Sequence, residues 1–196
     1  MTTIKSIDTR KLVLLALFTA IVVVLQILGA FIRFGPFSIS LVLMPIVIGA
    51  ALLGAYAGVW LGLVFGFVVL VSGDAAAFLA INPAATVFVV LFKGMLAGFV
   101  AGKLYKLLAT FDRTIAAVVA AISCPIINTG IFIAGCYLFF LPTLTEWGVM
   151  AEATSVTAFI FLSLVGVNFL LELGINLVLS PTIVRLIQYQ QDKEGQ

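Results

Sequence analysis

The chain has 196 residues, of which 64% are hydrophobic and 9% charged, with a net charge of +2 at pH 7 and no histidine. Soluble domains carry about 25% charged residues, so this composition excludes an ordinary water-soluble fold and points to an integral membrane protein. The lack of histidine excludes HExxH metalloprotease chemistry, histidine acid–base catalysis and histidine metal sites, and no basic aromatic surface for nucleic acid is present.

Crossing about 30 Å of hydrocarbon takes about 20 apolar residues at 1.5 Å rise each. Six apolar runs qualify as spans: Leu12 to Phe31, Ile39 to Leu53, Ala57 to Ser72, Pro83 to Leu104, Thr114 to Leu141, and Thr157 to Leu186. They predict an all-α integral membrane protein, with residues 1–196 forming a single domain of six transmembrane helices. The first run is longer than the apolar core of a secretory signal, so it reads as a span. It carries "ALFTA", with Ala16 and Ala20 four residues apart. Small residues at that spacing let helices approach closely, and a partner surface rivals internal packing as its use.

The first outer connection, "FIRFGPFSI", contains Arg33, suited either to guiding an anion inward or to anchoring in headgroups. The second and third runs are short and joined by "GAYAG". As one rod they would exceed the hydrocarbon thickness, so a hairpin is expected. Gly54, Gly58, Gly62 and Gly66 recur every four residues, as do Gly94, Gly98 and Gly102, and each ladder marks a close helix contact.

In "INPAAT" Asn82 is placed to cap the fourth helix, with Pro83 at its first position. The positive end of that helix dipole suits an anion. Lys93 follows about ten residues later, about 15 Å deep and near the midplane. A charge there costs at least about 2.5–3.5 kcal/mol, so Lys93 should face the interior and have a partner.

On the fifth run Asn128 falls near the middle, three residues after Pro125, whose missing N–H frees the carbonyl of Ala121. Cys124 and Cys136 are twelve residues apart on this helix, about 18 Å, too far to bridge. The sixth run carries Glu172 flanked at four-residue intervals by Asn168 and Asn176, which places three polar groups on one face.

Lys93, Asn128, Asn168 and Glu172 therefore meet at similar depth, as in an internal binding cavity. Two arrangements are open: a Lys93–Glu172 ion pair that fixes packing, or an ammonium offered to an anionic solute whose hydroxyl and amide groups the acid and asparagines hold. A pair that opens would serve both. Eight of the ten basic residues fall on one side, Arg33 alone on the other, and Lys93 between, so the positive-inside rule places both termini in the cytoplasm. Tyr56, Trp60, Tyr105 and Tyr189 then lie near the inner interface and Tyr137 and Trp147 near the outer one. The outer connections are longer than the inner ones, which suits capture from outside. "GFVAGKL" lacks the spacing and final hydroxyl of a phosphate loop. An intramembrane enzyme would need Ser123 or Ser163 beside Lys93 as base, and a purely structural subunit would make the polar face of the sixth helix dispensable.

Six spans in about 200 residues, "ALFTA", a Gly-Pro outer loop followed by "SLVLMPIVIGAALLGAYAG", and "VSGDAAAFLAINPAATVFVVLFKGMLAG" together resemble the substrate-binding S component of an energy-coupling factor (ECF) vitamin transporter. The stretch Ser40 to Gly98 is most similar to the pantothenate-specific branch. The resemblance implies a non-enzymatic subunit in a prokaryotic plasma membrane that captures a vitamin from the extracellular side. Its partners are then a shared transmembrane coupling subunit and two ATPase subunits that bind the ATP, so this chain needs no cofactor of its own. Ala16 and Ala20 match the motif facing the coupling subunit. Substrate is held in the family by the first outer loop and later helices, in agreement with Arg33, Lys93, Asn128 and Glu172; Asn82 and Asn168 complete the candidate set. A lysine suits the carboxylate of pantothenate, while biotin, nicotinate, riboflavin, folate and pyridoxine are alternatives. A cationic vitamin such as thiamine would call for several aromatics and acids, which the sequence does not gather at the site. Nickel and cobalt S components share an N-terminal histidine that this chain lacks.

Overall fold

The computed structural model describes residues 9–31, 33–34, 37–38 and 41–194. Helix α1 (Thr9–Gly29) is followed by a two-residue antiparallel ladder, β1 (Arg33–Phe34) and β2 (Phe37–Ser38), in which Phe34 pairs with Phe37. Then come α2 (Leu43–Leu53), α3 (Ala55–Val71), α4 (Ala76–Ile81), α5 (Pro83–Leu108), α6 (Arg113–Phe139) and α7 (Leu141–Met150). The last rod runs through α8 (Val156–Ala158), a π-helical stretch (Phe159–Gly166) and α9 (Val167–Glu194).

Local chemistry sets the boundaries. Gly54 ends α2 and starts α3 at φ 98°, a conformation open to glycine but rarely to other residues. The hairpin expected from the sequence is present, with a single residue as its turn, and it brings Ala50 against Gly58. Asp112 and Ser155 cap α6 and α8, accepting from the N–H groups of Ile115 (2.7 Å) and Ala158 (3.1 Å). α6 runs unbroken past the buried Pro125. Cys124 and Cys136 are accordingly separate, buried, free thiols.

The six apolar runs expected from hydropathy all form helices, of two lengths. Among the described residues, four helical segments are long and apolar enough to cross a bilayer: Thr9–Gly29, Pro83–Leu108, Arg113–Phe139 and Val156–Leu179. α2, with 11 residues, and α3, with 17, are shorter apolar helices, about 16 and 26 Å long. Two outer connections read as loops are short helices instead. The alanine run "AAAFLAI" favours helix in α4, and a proline in the first turn of α7 suits a helix start.

The two glycine ladders pack against each other. Gly58 faces Gly98, Gly62 faces Gly94 and Gly66 faces Val90, an antiparallel register in which a Cβ on Gly58 or Gly62 would overlap the opposing carbonyl. Lipid supplies no hydrophobic drive between helices, so this backbone approach is what the dispersion contacts of α3 with α5 depend on. Around the crossing lies one apolar cluster, including Ile46, Leu61, Ala97 and Ala117; a second includes Phe140, Leu144 and Ile160. Tyr105, expected at the inner interface, is instead buried in the first cluster.

Candidate functional site

A cavity of about 90 Å³ lies among the helices, walled by members of both apolar clusters and by side chains from α1, α5, α6, α9 and the α3–α4 turn. Four of the residues expected to meet at one depth, Lys93, Asn128, Asn168 and Glu172, all line it.

Each is delivered by a helix whose packing is already fixed. Lys93 precedes Gly94, the residue that lets α5 touch α3, and α3 contributes Phe65 beside it. The Lys93 ammonium stands 5.7 Å from the ring centroid of Phe65 and 5.4 Å from that of Phe132 on α6, within the range in which a cation is attracted by a ring face. It therefore points into the protein rather than at acyl chains. Glu172 and Asp74 line the same cavity. Asn168 and Glu172, four residues apart, project from one face of α9, and Asn128 is buried on α6.

Four polar wall residues escaped the sequence reading: Gln26, Asp74, Thr86 and Thr129. Gln26 Nε2 donates to Asp74 Oδ2 at 2.9 Å, and Ser72 Oγ donates to the same oxygen at 3.4 Å. Thr86 Oγ1 donates to the carbonyl of Asn82 at 2.8 Å. A lone amide in the apolar first helix and an acid in an outer connection were the available signals. Helical depth, the criterion that found Lys93, ranks neither, because Asp74 is placed by a turn and Gln26 by the rotation of α1. Among the described residues, buried oxygens without hydrogen-bond partners are Gln26 Oε1, Asn128 Oδ1 and Asn168 Oδ1, all on wall residues, and Asn176 Oδ1 outside the walls. Asn176 is turned back on its own helix, donating to the carbonyl of Glu172 at 2.8 Å.

The expectation that aromatics and acids are scarce at the site is wrong. Phe65, Phe78, Phe132, Phe140 and Phe169 contribute to the walls, as do two acids, Asp74 and Glu172. Periodicity could not show this, since Phe65 comes from α3 and Phe78 from the unexpected α4. Phe78 is held edge-on to Phe140, Phe132 and Trp147 at 4.9, 5.6 and 6.0 Å.

Other expected residues lie elsewhere. Asn82 is exposed and caps α5, its Oδ1 accepting from the N–H of Ala85 at 3.1 Å, and it is not part of the walls. Arg33 belongs to β1, and its side chain lies outside the described residues. Ala16 and Ala20 are exposed on α1. Neither candidate nucleophile reaches Lys93: Ser123 Oγ donates to the carbonyl of Ala120 at 3.0 Å, and Ser163 is exposed outside the cavity. Among the described residues no group of three or more His, Cys, Asp or Glu side chains could hold a metal ion.

A family model described as ECF transporter, substrate-specific component, matches residues 10–184. No curated protein and no solved structure matches the chain.

Proposed function

The chain belongs to the substrate-specific components of ECF transporters, and from that membership we propose that it captures a water-soluble vitamin, pantothenate first, from the extracellular side. The family is one of substrate-binding transporter subunits and not of enzymes, its members take a small molecule and work with an ECF module, and the apolar helices fit a multi-pass membrane protein. In the proposed arrangement all six apolar helices lie in a prokaryotic plasma membrane with both termini inside. Ala16 and Ala20 face the coupling subunit, and two ATPase subunits hold the ATP.

The observation that carries the reading is an internal cavity in an apolar helical protein, with the polar side chains of Lys93, Asn128, Asn168 and Glu172 converging on its largely apolar walls. Lys93 receives the carboxylate, and the asparagines and Glu172 receive hydroxyl and amide groups. Arg33 guides the anion inward, and the capped N-terminus of α5, with Asn82, favours its approach. Pantothenate ranks first on the similarity of Ser40 to Gly98 to that branch and on the lysine. Biotin, nicotinate, riboflavin, folate and pyridoxine follow.

A second substrate reading rests on the walls themselves. Five phenylalanines and two acids beside a single lysine also suit a vitamin with a positively charged ring. Equilibrium binding of radiolabelled pantothenate to the purified chain, without ATP and with each other vitamin and thiamine as competitors, tests both. Saturable pantothenate binding supports the first reading, and displacement by thiamine alone supports the second.

A further inference from the structure

The amide of Gln26 differs from the other two amides of the cavity walls, those of Asn128 and Asn168, in having its direction settled. Its Nε2 donates to Asp74 Oδ2 at 2.9 Å. Asp74 Oδ2 accepts from both Gln26 and Ser72, so with the nitrogen end of the amide on Asp74 the oxygen end faces away. Asn128 and Asn168 also carry unpartnered amide oxygens, but nothing comparable prevents their amides from turning over to offer either a donor or an acceptor.

The oxygen end of Gln26 is left with a demand. Gln26 is fully buried, and its Oε1 has no hydrogen-bond partner among the described residues. Buried polar atoms in folded proteins are nearly always satisfied, so an exception calls for a reason. Gln26 lines the cavity, which makes the cavity's occupant the natural source of a donor. Its position adds a second oddity. Of the residues of α1, Val22, Gln26 and Gly29 are buried, so a lone amide stands on the otherwise apolar strip by which this helix meets the rest of the protein.

We infer that Gln26, held in one orientation by Asp74, is a specificity-determining residue whose Oε1 accepts a hydrogen bond from an N–H or O–H group of the bound vitamin. This rests on the vitamin-capture reading and adds to it a chemical requirement: the ligand presents an acceptor to Lys93 and a donor to α1. A site of this kind rejects analogues lacking the donor, because binding them leaves the buried oxygen unpaired. If the Gln26–Asp74 bond serves only to tie α1 to the α3–α4 turn, it does not distinguish ligands by their donors.

The test uses the purified full chain and four probes: pantothenate, its two single-deoxy analogues, and its N-methylated amide. The expected result is that one analogue binds wild type at least about tenfold more weakly than pantothenate, while the other two lose less. In Gln26→Met that penalty shrinks to less than about twofold. In Asp74→Asn, which frees the amide to turn over, it also shrinks, so the inference does not depend on one variant folding. Equal affinity of wild type for all four probes, or an unchanged penalty in a folded variant, overturns it. If pantothenate fails to bind but another vitamin of the panel does, only the pantothenate reading falls. Gln26→Met is then measured against that vitamin, where a loss of about tenfold or more supports the inference and unchanged affinity overturns it. Binding of none of them to wild type overturns both.

Discussion

The Lys93 ammonium lies 5.4 Å from the ring centroid of Phe132, so a charge on α5 is held by an aromatic face from α6 at the wall of an internal cavity. That relationship turns a costly group inward. It also makes Lys93 the most direct handle on ligand binding.

Replacing Lys93 with alanine is expected to weaken binding of pantothenate by at least about tenfold, or about 1.4 kcal/mol, with the protein still eluting as a folded species. Lys93→Arg should fall between the two, since a planar guanidinium carries the same charge but does not fit a lysine site. Isothermal titration of the three proteins checks the order.

Packing at the glycine crossing gives a contrast within one residue type. A Cβ on Gly94 overlaps the carbonyl of Gly62, whereas one on Gly130 meets nothing within 4 Å. Gly94→Ala should lower thermal stability by at least about 1–3 kcal/mol, the usual cost of overpacking. Gly130→Ala should be neutral or raise it by up to about 1 kcal/mol, because helical glycine is entropically unfavourable. Thermal unfolding in detergent separates them.

The cap at Asn82 yields a third expectation. Asn82→Ala removes the acceptor for the Ala85 N–H and should cost about 1 kcal/mol of stability. Ligand affinity should fall less than about twofold, because the side chain is outside the cavity walls. A larger drop in affinity than in stability would show that the α5 N-terminus holds substrate through this residue.

Bulky residues on the exposed face of α1 should separate capture from transport. Ala16→Leu with Ala20→Leu alters a surface and not the core. Vitamin binding to the isolated chain should stay within about twofold of wild type, while uptake in cells with the complete transporter should fall at least about tenfold. Normal uptake would remove these alanines from the partner interface.

Much of this architecture was legible because lipid makes severe demands on sequence. A midplane lysine must turn inward, which located Lys93, and the four-residue glycine period marked the α3–α5 contact before any register was known. The polar face of α9 was readable for Asn168 and Glu172, but not for Asn176, whose amide bonds back to the helix. What stayed hidden depends on rotation and on short connections. Gln26 is one amide in an apolar run, and only the packing of α1 decides that it faces Asp74. Phe78 enters the cavity from a short helix without the length or periodicity that marks a span. The aromatic wall and Asp74 were therefore missed together.

Equilibrium binding of radiolabelled pantothenate to the purified chain alone, without ATP or partner subunits, tests the central claim most directly, with Lys93→Ala alongside. Saturable binding to wild type that weakens at least about tenfold in the variant is the expected result. Absence of saturable binding, or equal affinity in the two proteins, would contradict capture of this anion at Lys93.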